Sequence, residues 1–209
     1  RNTVATCEGV LDGSVRAFIG LGGNFLRAAP DTDRLEAAWP RMRLTVHVTT
    51  RLNRTHMLPG AVAYVLPCLG RIEIDQQAGG PQTVSVEDST GFFHASDGVA
   101  EPADPGLRSE TAIVAAIAMA NLPPNARVPW ADWVGNYALV RDAIAATWPD
   151  VFEGFNARFR VPGGMPKPNA ARQRQWKTDS GRAHFTVPDG LDANPDTPAQ
   201  GDDVLRLMT

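Results

Sequence analysis

Positive charge is not in excess in this sequence: 20 lysines and arginines stand against 23 aspartates and glutamates, a net charge of -3. Binding to a phosphodiester polymer rests on neutralising its phosphates, so nucleic acid is not an expected partner. Cysteine is scarce too. The only two, Cys7 and Cys68, lie far apart without a CxxC or other close pairing, which argues against a disulfide framework and against a structural zinc site. A reducing compartment, the cytoplasm, is the simpler expectation. No apolar stretch approaches the roughly 20 residues a membrane span requires, and no signal-like segment follows the first residues. Internal repeats at solenoid spacing are missing, as is the GxGxxG fingerprint of dinucleotide-binding turns. The chain opens RNTVATCEG, without an initiator Met, and closes on DDVLRLMT, an apolar run that reads as a strand just starting. It is therefore expected to be a piece of something longer.

What is present is ordinary globular material. With 43% hydrophobic and 21% charged residues over 209 positions, the chain can bury a core as one large domain or two small ones. TVATCEGVL, residues 3 to 11, is a helix with Thr3 as its expected N-cap, and VRAFIGLG, residues 15 to 22, is a continuously apolar strand of the kind buried on both faces of a parallel sheet. TDRLEAAW after Asp31 is helical and is closed by Pro40, while LTVHV and AVAYVLPC supply two further strands. Strand, helix, strand, loop, strand is the order of a doubly wound α/β layer. Residues 70 to 108 read as a long loop with strand-like scraps. Ser109 then caps one helix, and a second is expected from Trp130 to Trp148, carrying Trp133, Tyr137, Val140, Ile144 and Trp148 on one stripe. TDSGRAHFTV reads as a turn leading into a short strand, and residues 186–201 as a linker.

In an open α/β sheet, ligands sit outside the carboxyl ends of the strands, where loops and helix N-termini gather backbone donors. Gly22, Gly23 and Asn24 occupy that position after the first strand, and Thr49, Thr50, Arg51, Leu52, Asn53, Arg54, Thr55 and His56 occupy it after the second. Glycines admit a ligand to the main chain, and hydroxyl, amide and guanidinium groups suit phosphate or base contacts. Two such loops suggest a dinucleotide. Taken alone, Gly-Gly-Asn is as often a plain turn, His47 is a core or edge residue, and Cys68 is a small buried thiol rather than a nucleophile.

The runs RAFIGLGGNF, LTVHVTTRLNRTH, LPCLGRIEIDQQAGGPQTVSVEDS and TDSGRAHF, in this order, resemble the formate-dehydrogenase-like branch of the molybdopterin oxidoreductases. The resemblance implies the latter part of that family's third domain: an α/β, partial doubly wound, mainly parallel Rossmann-like sheet with an added helical pair and a loop-rich C-terminal extension. On this reading residues 1–108 form the cofactor-binding segment, 109–185 the helical pair and closing strand of the same domain, and 186–209 a linker with the first strand of a following domain.

It further implies that Gly22, Gly23 and Asn24, with Val48, Thr49, Thr50, Asn53 and Thr55, contact one molybdopterin guanine dinucleotide; Arg51 belongs to the same loop. Many relatives carry Gln-Asp where Val48-Thr49 stand, and a threonine hydroxyl lacks the bidentate fit of a carboxylate to a guanine edge. The implied enzyme performs two-electron chemistry at molybdenum or tungsten on a small-molecule substrate. Its metal ligand and iron-sulfur cluster lie in the remaining domains of the same polypeptide, so neither a catalytic nor a metal-ligating residue is expected in this piece. A stand-alone nucleotide-binding or protein-interaction module is the alternative.

Overall fold

The computed structural model describes residues 2–125, 127–187 and 189. They fall into two compact units, one comprising the residues up to Leu66 with those from Thr178 on, the other Pro67–Lys177.

In the first unit, helix α1 (Thr3–Leu11) has its cap one residue earlier than expected, because Asn2 rather than Thr3 accepts the Ala5 N–H, at 2.8 Å. Strand β1 (Ala17–Leu21), the short helices α2 (Phe25–Ala28) and α3 (Thr32–Ala38), strand β2 (Leu44–Thr49) and strand β3 (Val62–Pro67) follow. β1 and β2 are parallel, in register from Ala17 opposite Leu44 to Leu21 opposite Val48, and β3 flanks β2 to complete a parallel sheet in the order β1-β2-β3. The α/β layer expected from the sequence is thus present. Its core holds Cys7, Val10, Leu26, Leu35, Trp39 and Met42, against which Phe18 and Phe25 pack. Gly20 is required here by close approach: a Cβ would lie 2.8 Å from the Phe18 ring.

The expectation of β1 buried on both faces is corrected. Successive strand residues point to opposite faces, and α2 and α3 belong to the face of Phe18. Ile19 and Leu21, on the other, are 48% and 50% exposed. A four-residue helix, α2, also stands where the sequence offered only the end of a glycine turn.

In the second unit, residues 70–108 are less irregular than expected. β4 (Gln76–Gln77) and β5 (Gly80–Pro81) form a small antiparallel ladder; β6 (Thr83–Glu87) pairs antiparallel with β7 (Phe92–Asp97), and β8 (Met165–Pro166) with β7. Helix α4 (Glu110–Asn121) starts at the expected Ser109 cap. The expected helix over Trp130–Trp148 is broken into α5 (Trp130–Gly135) and α6 (Tyr137–Thr147), because Asn136 leaves the helical conformation and caps α6 by accepting the Ala138 N–H. The single stripe therefore does not exist: Tyr137 is buried, whereas Trp148 is 58% exposed.

Two short helices, α7 (Pro149–Phe152) and α8 (Phe155–Arg158), place Phe155 and Phe159 with Met165 in a second core that takes in Phe93. The strand expected in TDSGRAHFTV is not formed among the described residues, and Phe185 is almost fully exposed. Nearly all of the linker and strand expected over 186–209 lies outside the described residues.

Candidate functional site

Because β1 and β2 are parallel neighbours, the loops at their carboxyl ends share one rim. The Gly22 N–H donates to the Val48 carbonyl at 2.8 Å, extending the ladder one step beyond the strands. Gly22 and Gly23 then take left-handed φ values of 59° and 71°, where a Cβ would be strained, and the chain turns directly into α2.

Side chains stitch this loop to the next. Asn53 Nδ2 donates to the Gly23 carbonyl at 2.7 Å, and the Thr55 hydroxyl donates to Asn24 Oδ1 at 2.8 Å while accepting the Leu26 N–H at 3.1 Å. Asn53 itself is held by the 3-10 turn it caps, Arg54–Met57: its Oδ1 accepts the Thr55 N–H, and its own N–H donates to His56 Nδ1 at 3.0 Å.

The structure thus brings together all nine residues singled out in the sequence and sorts them. Gly22, Gly23, Thr50 and Arg51 are exposed on the rim. Asn24 and Asn53 are half-buried, with Asn24 Oδ1 and both ends of the Asn53 amide engaged between or within the loops. Val48, Thr49 and Thr55 are buried, and the Thr49 hydroxyl donates to the Arg51 carbonyl at 2.8 Å. Thr49 therefore shapes its loop and does not offer its side chain to a base edge. Arg54, another candidate for phosphate, is instead paired with Glu36, which Arg27 also approaches. Arg51 makes no ion pair among the described residues.

Sequence reasoning places His56 near the site and His47 in the core or at an edge, but misses that the two rings meet and that His56 accepts the Asn53 N–H. His47, on the helix-facing side of β2, is buried, and its Nε2 has no hydrogen-bond partner among the described residues. Its ring centroid is 4.6 Å from that of His56. Burial lowers the pKa of both, and for His47 the neighbouring His56 lowers it further. The legible signal was Asn53-Arg54-Thr55-His56, an N-cap asparagine with an acceptor ring three residues on.

The second unit holds two cavities of about 420 and 520 Å³ with Leu69, Asp75 and Ser109 in the walls of both. Asp75 accepts from the Tyr137 hydroxyl and from Gln77, and Tyr137 also meets Ser109 at 2.9 Å. Burial first, then the bond to Asp75, pushes the Tyr137 pKa up to about 12. Each of these side chains has a hydrogen-bond partner, and together they join β4, the Ser109 cap and the start of α6. Cys7 and Cys68 are buried, and burial raises both thiol pKa values, which disfavours the nucleophilic thiolate. Among the described residues no three His, Cys, Asp or Glu side chains gather to hold a metal ion, and no helix is long and apolar enough to cross a membrane.

No family profile matches the chain. It is similar to Protein YdeP of Escherichia coli (strain K12), 44% identical over 192 residues, which cover 92% of this chain and 25% of that protein. It is also similar to an uncharacterized oxidoreductase of Mycobacterium tuberculosis, 43% identical over 187 residues, 89% of this chain and 24% of that one. The chain spans about a quarter of the length of the curated relatives it matches. Both alignments are long enough to take in residues of each compact unit.

Proposed function

We propose that this chain is the nucleotide-gripping segment of a molybdopterin-dependent, formate-dehydrogenase-like oxidoreductase, whose rim over β1 and β2 holds one molybdopterin guanine dinucleotide. The observation that carries the reading is the joined rim. Two parallel strands end side by side, and their loops are fastened by the Asn53 to Gly23 bond. The crest of this rim is main chain, with open space within 4 Å of the point where a Gly23 Cβ would stand.

The exposed residues fit the group. Glycine backbone, the Thr50 hydroxyl and the Arg51 guanidinium, which makes no ion pair among the described residues, are donors suited to a diphosphate. Base reading is assigned to backbone groups of the rim, since the Thr49 side chain is turned inward. The name of the mycobacterial relative supports a redox role.

When bound, the group supplies two-electron chemistry at molybdenum or tungsten. This chain's residues bind it, orient it and fix its phosphates. The metal ligand, an iron-sulfur cluster and the substrate pocket belong to other domains of the same polypeptide. The test is metal and nucleotide analysis of the purified polypeptide that carries this segment. Molybdenum or tungsten and guanine nucleotide are expected in the same protein fraction. A metal-free polypeptide, with the chain alone stabilised by guanosine diphosphate in a thermal-shift assay, would instead establish a stand-alone nucleotide-binding module.

A further inference from the structure

The bond from the Asn53 N–H to His56 Nδ1 fixes a protonation state. A backbone N–H only donates, so the nitrogen facing it must carry a lone pair, and an imidazolium has none. His56 is therefore neutral here, with its proton on Nε2, a tautomer assigned from the bond. Asn53 is the residue whose side chain ties the second loop to the Gly23 carbonyl.

We propose that His56 is a positioning residue for the rim: its unprotonated Nδ1 holds Asn53 in place, and protonation there loosens the Asn53 tie to Gly23, while the Thr55 bonds to Asn24 and Leu26 still join the loops. The consequence for a bound nucleotide rests on the functional reading above; the fastening itself does not.

The surroundings favour the neutral ring. Among the described residues, the titratable and charged groups joined to this turn are His47 from β2 by ring contact, Glu36 from α3 by its pair with Arg54 of the turn, and Arg27 from α2 through the same Glu36 carboxylate. Glu36 is already shared by Arg27 and Arg54, at 3.4 and 3.3 Å, so its charge is compensated. His47 is buried beside His56 and adds no anion.

Burial lowers the His56 pKa below its ordinary value of 6.5. A histidine depressed in the folded state binds fewer protons there than in the unfolded chain. Its contribution to stability is therefore complete above 6.5 and is lost as pH falls through the folded value. The Asn53 tie to Gly23 holds at neutral pH and loosens in acid.

Nuclear magnetic resonance on the isotope-labelled full chain tests this, with the His56 imidazole nitrogens reporting its own midpoint. The Asn53, Gly23 and Asn24 amides are expected to shift with that midpoint. Exchange of the Asn53 amide, corrected for pH, is expected to accelerate about five- to tenfold across it, the loss of one hydrogen bond. His56→Asn sets a carbonyl oxygen near the place of Nδ1, and that oxygen accepts at every pH. The variant should therefore keep the Asn53 amide protected in acid and abolish the Gly23 midpoint.

Gly23 and Asn24 amides unmoved while His56 titrates, or moving instead with the His47 midpoint, overturn the proposal. So does a Gly23 midpoint that survives in His56→Asn. Should that variant not fold, the titration of the unmodified chain decides alone. A polypeptide without metal or guanine would remove the nucleotide reading and leave this titration standing.

Discussion

Trp39→Ala is expected to destabilise the unit that carries the rim by about 3–5 kcal/mol, the range for deleting a large buried aromatic side chain. Trp39 is fully buried, its ring centroid 4.9 Å from Phe18 and 5.7 Å from Phe25, so its removal leaves a cavity bordered by β1 and by α2, the helix that follows Asn24. Part of the loss is offset, because the indole N–H is buried without a partner among the described residues and its desolvation cost disappears with it.

Hydrogen exchange of the Val46 and His47 amides in β2 is the measurement. Trp39 is the unit's own tryptophan, so fluorescence of the variant would report on the other unit instead. Protection of these amides is expected to fall by about two to three orders of magnitude. Protection within about tenfold of the unmodified chain would show that the helical layer does not depend on Trp39.

Gly98→Ala is expected to be comparably severe in the second unit, about 3 kcal/mol or more. The conformation at Gly98 is not the cause, since its φ lies outside the left-handed range; crowding is. An added Cβ would lie 2.0 Å from the Glu73 carbonyl oxygen and 2.7 Å from the Ile74 nitrogen, backbone atoms that no rotamer change can move. They belong to a crossing of two segments, where Val99 N–H bonds the Ile72 carbonyl and Ile74 N–H the Ala100 carbonyl, both at 2.8 Å. Glu73 also accepts the Gly70 and Ala103 N–H groups, so displacing it frees both loops.

Gly91→Ala is the control. That site is open, and only a left-handed φ of 81° opposes the change, at about 1–2 kcal/mol. Urea unfolding followed by tryptophan fluorescence separates the two. Equal midpoints would refute the steric cause.

The parts of this fold that were legible in the sequence were those set by local chemistry. Ser109 reads as a cap because its hydroxyl accepts the Ala112 N–H, and Leu44–Thr49 reads as a strand because its β-branched residues suit a pleated surface. Misreadings arose where one local signal outweighed another. The apolar spacing from Trp130 to Trp148 masked Gly135-Asn136, a stop followed by a cap. The continuous run in β1 could not tell which face has cover.

At the rim, sequence position together with the family resemblance named nine residues that lie together, because parallel strands end at the same edge. It could not tell which side chains look outward, since that depends on contacts between loops about 30 residues apart, such as Asn53 with Gly23 and Thr55 with Asn24.

Whether that rim grips a nucleotide is decided most directly by comparing Gly23→Val with Gly13→Val in the purified polypeptide carrying this segment. Both glycines have left-handed φ, 71° and 79°, and open space around the added Cβ, so both variants carry the same kind of backbone strain. Only Gly23 stands on the crest. Bound guanine nucleotide and metal are expected to fall about tenfold or more in Gly23→Val, as for a loss of about 1.4 kcal/mol or more of binding, and to stay near the unmodified level in Gly13→Val. Undiminished nucleotide and metal in Gly23→Val, or an equal fall in both variants, would contradict a nucleotide-gripping rim.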